Sequence, residues 1–122
     1  MLSRVDLPTL RAALWTVRAL RTTRRDLSVH GLHGARVKPP PRLPAGARRG
    51  VLAVLRRRPN TCLERALVLQ RWEASHGAGA DVVIGVPGPG EDDFVAHAWL
   101  ETMPDGAYAR FHEIHRLPAP AE

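Results

Sequence analysis

The stretch RRRPNTCLERALVLQ, residues 56–70, contains the only cysteine of a 122-residue chain, and its spacing decides how the rest is read. Pro59 ends whatever helix precedes it, because it lacks a backbone N–H and disfavours helical geometry in the residue before it. Thr61 then caps a new helix, and Glu64 follows three residues later, the spacing at which each side chain satisfies the other's free backbone amide. Cys62 becomes the first helical residue. Leu63, Ala66, Leu67 and Leu69 form the expected buried side, leaving Glu64, Arg65 and Arg71 to solvent. A thiol at that first position faces unpaired N–H groups and the positive end of the helix dipole, and both favour thiolate. Cysteine is also among the most buried residue types, so two readings stay open: a reactive thiol or a small core side chain.

A reactive thiol needs a base, and the chain has six histidines. His30 and His33 fall in a glycine-containing loop, and His76 sits at the end of the cysteine helix, where a cation complements the helix carbonyls. Downstream, DVVIGV (residues 81–86) reads as a buried strand, PGPGEDD as a turn, and FVAHAWLE as a second strand. In that second strand Phe94, Ala96, Ala98 and Leu100 point one way, and Val95, His97, Trp99 and Glu101 the other. His97 is the candidate base; a hydrogen-bonded structural histidine is the competing reading. A third strand is expected over residues 107–114. If it pairs with the His97 strand, Glu113 can orient the imidazole. Asp105 is the second choice, since a Pro-Asp-Gly turn already accounts for it. Cys62 with His112 and His115 lacks the CxxC or HExxH spacing of a zinc site, and the chemistry asks for neither metal nor cofactor.

Upstream, LPTLRAALWTVRALRTTRRDL (residues 7–27) places Leu7, Leu10, Leu14 and Val17 at three- and four-residue spacing, with Arg11, Arg18, Arg21 and Arg25 in other directions. The pattern predicts an amphipathic helix, with Pro8 tolerated in its first turn. KPPPRLP (residues 38–44) is an extended connector, and AGARRGVLAVLRRR supplies a short helix burying Val51, Val54 and Leu55. Residues 1–36 are read as a basic helical arm that docks a partner and adds little to catalytic geometry, and residues 37–122 as the core, within one compact domain.

The net charge of +6 is carried almost wholly by arginine, concentrated before position 60. Such a face suits nucleic acid, an acidic peptide or the acidic surface of a protein. Aromatic residues make up only 5%, so base-stacking platforms are scarce, and no recognised nucleic-acid motif appears. No apolar run approaches the roughly 20 residues that cross a bilayer, and no secretory signal opens the chain. With a lone cysteine that cannot form an internal disulfide, a cytoplasmic location is expected.

Taken in order, TCLERALVLQRW, DVVIGV and FVAHAWLE resemble the transglutaminase-like cysteine peptidases of lasso-peptide biosynthesis, the stand-alone leader peptidases found where the maturation protein is split in two. The resemblance spans about residues 40–118, and the basic segment and proline connector before it are similar too. It implies that Cys62 is the nucleophile and His97 the base. Related enzymes commonly carry Asp after the histidine strand, where this chain offers Glu113. The implied substrate is a ribosomally made precursor peptide, from which a leader is cut. The implied partners are a small leader-recognition protein that presents it and a macrolactam-forming cyclase that closes the product. The expected fold is α+β: amino-terminal helices, with the cysteine helix on a small antiparallel sheet as in papain-like and transglutaminase-like cores. Two other classes compete, a basic nucleic-acid- or peptide-binding module without catalysis and a catalytically silent scaffold. Rapid alkylation of Cys62 below pH 7 distinguishes an active thiol from both.

Overall fold

Three helices precede three strands in the computed structural model, which describes residues 6–88, 96–102 and 111–120. Helix α1 spans Leu7–His30, α2 Arg48–Arg57 and α3 Cys62–Ala74; strand β1 spans Val82–Pro87, β2 His97–Leu100 and β3 Phe111–Leu117. The α+β class expected from the sequence is the one observed. Arg58, before Pro59, is already extended (φ −104°, ψ 141°), which ends α2 where proline sterics require. Thr61 and Glu64 form the expected capping box: Thr61 Oγ1 accepts from Glu64 N at 3.1 Å, and Glu64 accepts from Thr61 N at 2.9 Å. Helix α1 runs on to His30, so that histidine closes a helix instead of lying in a loop, and Gly31 supplies the positive φ of 74° beyond it.

The leucine stripe of α1 does not face the core. Leu7, Leu10 and Leu14 are exposed, and the buried side is Ala12, Trp15, Thr16, Ala19, Leu20 and Thr23. Close approach of α2 explains the reversal. A Cβ on Gly50 would lie 2.2 Å from the Thr9 carbonyl oxygen and 3.1 Å from Ala13 N, so the two backbones nearly touch and only small side chains fit between them. Helix α1, read from the sequence as a basic arm within one compact domain, packs its inner face into the core. Ala12, Trp15, Ala19 and Leu20 share one hydrophobic cluster with Val51 and Leu55 of α2, and with Ala66, Leu67, Val68, Leu69 and Trp72 of α3.

Helix α3 is the centre of that cluster. Its far end is tied to the proline connector: the His76 ring nitrogens lie 2.8 Å from the Trp72 carbonyl and 2.9 Å from that of Leu43. The buried Gln70 amide lies 3.0 Å from the carbonyls of Ala80 and Leu117, joining α3 to the entry of β1 and the exit of β3.

The strands lie in the order β2-β1-β3, all antiparallel. The third strand therefore pairs with β1, so the condition under which Glu113 would face His97 from a neighbouring strand is not met. The apolar run Val82–Ile84 is the reason: Val82 and Val83 are buried on opposite faces, which suits a strand with neighbours on both edges. Pairing parity gives the sheet two distinct faces. Val82, Ile84, Ala98, Leu100 and Leu117 join or pack on the helical cluster, while Val83, Gly85, His97 and Trp99 share the other face.

Gly50→Ala tests the helix packing. The added methyl meets backbone rather than a yielding side chain, and is expected to cost about 1–3 kcal/mol as an overpacking substitution. A urea titration that shows no loss contradicts the close α1–α2 approach.

Candidate active site

Cys62 is exposed and makes no side-chain hydrogen bond among the described residues. What fixes it is the turn beneath it. Glu64, expected to face solvent, is only 4% exposed. Arg24 of α1 grips its carboxylate twice, from Nε at 3.1 Å and from Nη2 at 3.2 Å, and Nη2 also donates to the Pro59 carbonyl at 2.9 Å. One guanidinium thus holds both the residue that opens the loop before Cys62 and the residue two positions after it. Burial works against ionisation of Glu64, but the Arg24 hydrogen bond, the Thr61 backbone amide and the Arg24 charge outweigh it and hold the carboxyl below its ordinary value. Thr61 occupies the amide of Glu64, which leaves the amides of Cys62 and Leu63 without intrahelical partners in the first turn. Those are the donors available to a developing oxyanion.

The sequence missed Arg24 as a structural residue. Its signal was position: Arg24 stands one helical turn after the buried Leu20, at the edge of the inward face, while Arg18, Arg21 and Arg25 stand on the outward one.

His97 opens β2 and is half-buried, with its ring edge-on to Phe111 (centroids 4.9 Å apart, 82° between planes). Phe111 also meets Trp99 at 5.8 Å. Both pairings run over Gly85, where a Cβ would come within 2.8 Å of the Trp99 ring. Parity puts His97 on the Trp99 face of the sheet, opposite the face that packs on the helices. No hydrogen bond joins Cys62 to the His97 ring among the described residues.

Glu113 stands on β3 opposite Gly85, as His97 does on β2, so β1 separates the two residues. Two strand spacings put their backbones about 9–10 Å apart. The carboxylate of Glu113 accepts from Arg116 Nε at 2.6 Å, and Arg116 Nη1 also reaches Glu101 at 2.6 Å and Asp81 at 3.3 Å. This cluster links the ends of all three strands, and hydrogen bonds from Arg116 to Glu113, Glu101 and Asp81 raise its pKa further above the ordinary arginine range. Asp105 lies outside the described residues. His115 lies on the helix-facing side of β3, where its ring meets that of His33 edge-on at 5.2 Å, and His112 is exposed. Among the described residues no three His, Cys, Asp or Glu side chains are grouped to hold a metal.

An exposed thiol thus opens the first turn of a boxed helix that packs on a small antiparallel sheet whose second strand begins with a histidine. The chain belongs to the transglutaminase-like superfamily, whose profile matches residues 5–114 and so takes in α1, α3, β1, β2 and the first half of β3. That superfamily includes cysteine peptidases. No curated protein and no solved structure matches the chain. No helix among the described residues is long and apolar enough to cross a membrane.

The Glu64 carboxyl gives a pH test. Its folded-state value lies below the ordinary 4.5, so its contribution to stability is complete above that pH and is lost as pH falls through the folded value. Glu64→Gln keeps a cap acceptor but loses the ion pair. The wild type should exceed this variant in urea stability at about pH 6, with the difference narrowing as pH falls below 4.5. A difference that stays constant across that range contradicts the assignment.

Proposed function

We propose that the chain is a cysteine peptidase that removes the leader from a ribosomally made precursor peptide during lasso-peptide maturation. The observation that carries the reading is Cys62 itself: an exposed thiol, first in a helix whose opening turn is held by Thr61, Glu64 and Arg24, in a chain of the transglutaminase-like superfamily. The three sequence blocks around Cys62, β1 and His97 supply the lasso-specific part. In this reading the Cys62 thiolate attacks the scissile carbonyl and the leaving amine takes a proton from His97. The amides of Cys62 and Leu63 receive the oxyanion. Water then hydrolyses the thioester. His97 must leave Phe111 and approach Sγ for this cycle to run, with precursor binding as the occasion.

Glu113 is proposed here as a sheet clamp more than an orienting acid, because Arg116 holds its carboxylate. The leader peptide is the substrate, a separate leader-recognition protein presents it, and the cyclase acts on the product; all three are cytoplasmic in this reading.

The test is leader release followed by mass, from a candidate precursor with and without its recognition protein. Cys62→Ala and Cys62→Ser should release nothing while keeping the far-UV spectrum of the wild type. His97→Ala should lose about 100- to 10,000-fold, the usual range for a missing general base, and His30→Ala should lose little. Glu113→Gln should keep most of the rate and unfold at lower urea. Undiminished release by Cys62→Ala ends the peptidase reading, and a Glu113→Gln variant that is stable but inactive returns Glu113 to the catalytic group.

A further inference from the structure

The inner face of α1 is packed into the core, and the outer face is built to a different rule. Leu7, Leu10 and Leu14 are 68%, 49% and 57% exposed, and Arg18, Arg21 and Arg25 are exposed beyond them. At about 100° per residue all six fall within an arc of about 80°, so leucines and arginines lie end to end along one stripe. From Leu7 to Arg25 that stripe is about 27 Å long at 1.5 Å per residue. None of the three guanidinium groups has an acidic partner among the described residues, whereas Arg24, Arg48, Arg49 and Arg116 each have one. No acidic side chain interrupts the arc; Asp26 stands on another side of the helix.

We propose that this stripe docks an acidic amphipathic segment of a partner protein, whose apolar side chains seat on Leu7, Leu10 and Leu14 and whose carboxylates lie over Arg18, Arg21 and Arg25. Charge selects the occupant, since three unneutralised arginines in line call for three acids in line. The order of residues selects its class. A helix that lies in a bilayer surface divides its circumference into an apolar and a basic half, but here the inner half is buried in the protein and the two kinds of residue succeed each other along the axis. Phosphates of a nucleic acid would answer the arginines and leave the leucines in water. A segment with apolar residues at one end of a face and acids at the other satisfies both parts. The inference rests on α1 alone and does not depend on the chemistry of Cys62.

The probe is a labelled synthetic helical peptide with three leucines and three glutamates on one matching stripe, followed by fluorescence anisotropy against the full chain. The wild type should bind it, and bind the same peptide with lysines for glutamates at least 10-fold more weakly. The triple variant Arg18→Glu, Arg21→Glu, Arg25→Glu should reverse that order. The pair Leu10→Ser, Leu14→Ser should weaken the acidic peptide about 5-fold or more at high salt as at low salt, since exposed charges are screened and apolar contacts are not. All these positions are exposed, so far-UV spectra and urea midpoints should match the wild type, and Cys62→Ala should bind as the wild type does. Equal affinity for both peptides, or unchanged binding by the arginine and leucine variants, overturns the proposal. So does tighter binding to vesicles of phosphatidylglycerol or to duplex RNA than to the acidic peptide, which would assign the stripe to a lipid surface or a nucleic acid.

Discussion

A single buried carboxylate joins the parts of this molecule that matter most to each other. Glu64 closes the capping box that starts α3, and its other contacts come from Arg24 of α1, which also reaches the Pro59 carbonyl. Burying a carboxylate is costly unless it is paired and hydrogen-bonded, and Glu64 is both. Its contacts run from residue 24 to residue 64, so the first turn of α3 is set by tertiary structure as well as by its own cap. The thiol of Cys62 stands on that turn. The superfamily match begins at residue 5, in accord with a helix α1 that belongs to the core rather than to an appendage.

Local chemistry in the sequence located most elements. Proline sterics end α2, the Thr61–Glu64 pair starts α3, and the apolar run of DVVIGV gives β1. What the sequence hid depends on neighbours distant along the chain. The leucines of α1 have the spacing of a buried stripe, but the near contact at Gly50 sets the Thr9 and Ala13 backbone against α2, so that Ala12, Trp15, Ala19 and Leu20 pack inward and Leu7, Leu10 and Leu14 face outward. Glu64 is charged and lies beside apolar positions, so solvent was the natural expectation until Arg24 appeared beneath it. Strand order is not encoded in any one strand either. The apolar pair Val82 and Val83 hints at a central position, and only the pairing of β3 with β1 makes it so.

The candidate site was legible in the same uneven way. Cys62 at a helix start is a local fact and was read as such. His97 on its own face of a strand was also read, but which face meets the helices depends on the packing of Ala98 and Leu100 against the core. That packing turns His97 toward Phe111. Glu113 is suggested by its distance from the histidine strand, but the strand order that sets β1 between them and the Arg116 contact on its carboxylate are tertiary facts no local pattern carries. The described residues give an exposed thiol on a capped turn, an imidazole edge-on to Phe111, and an ionic cluster around Arg116 that links the ends of the strands.

The central claim is that Cys62 forms a covalent bond to the acyl part of a cleaved peptide. Rapid acid quenching of a single turnover with the precursor peptide, followed by intact-protein mass and peptide mapping, measures this directly. The account predicts an adduct with the mass of the leader fragment on Cys62, bound as a thioester and released by hydroxylamine. Turnover of the peptide with no adduct on Cys62 and with the acyl group trapped on another residue would contradict it.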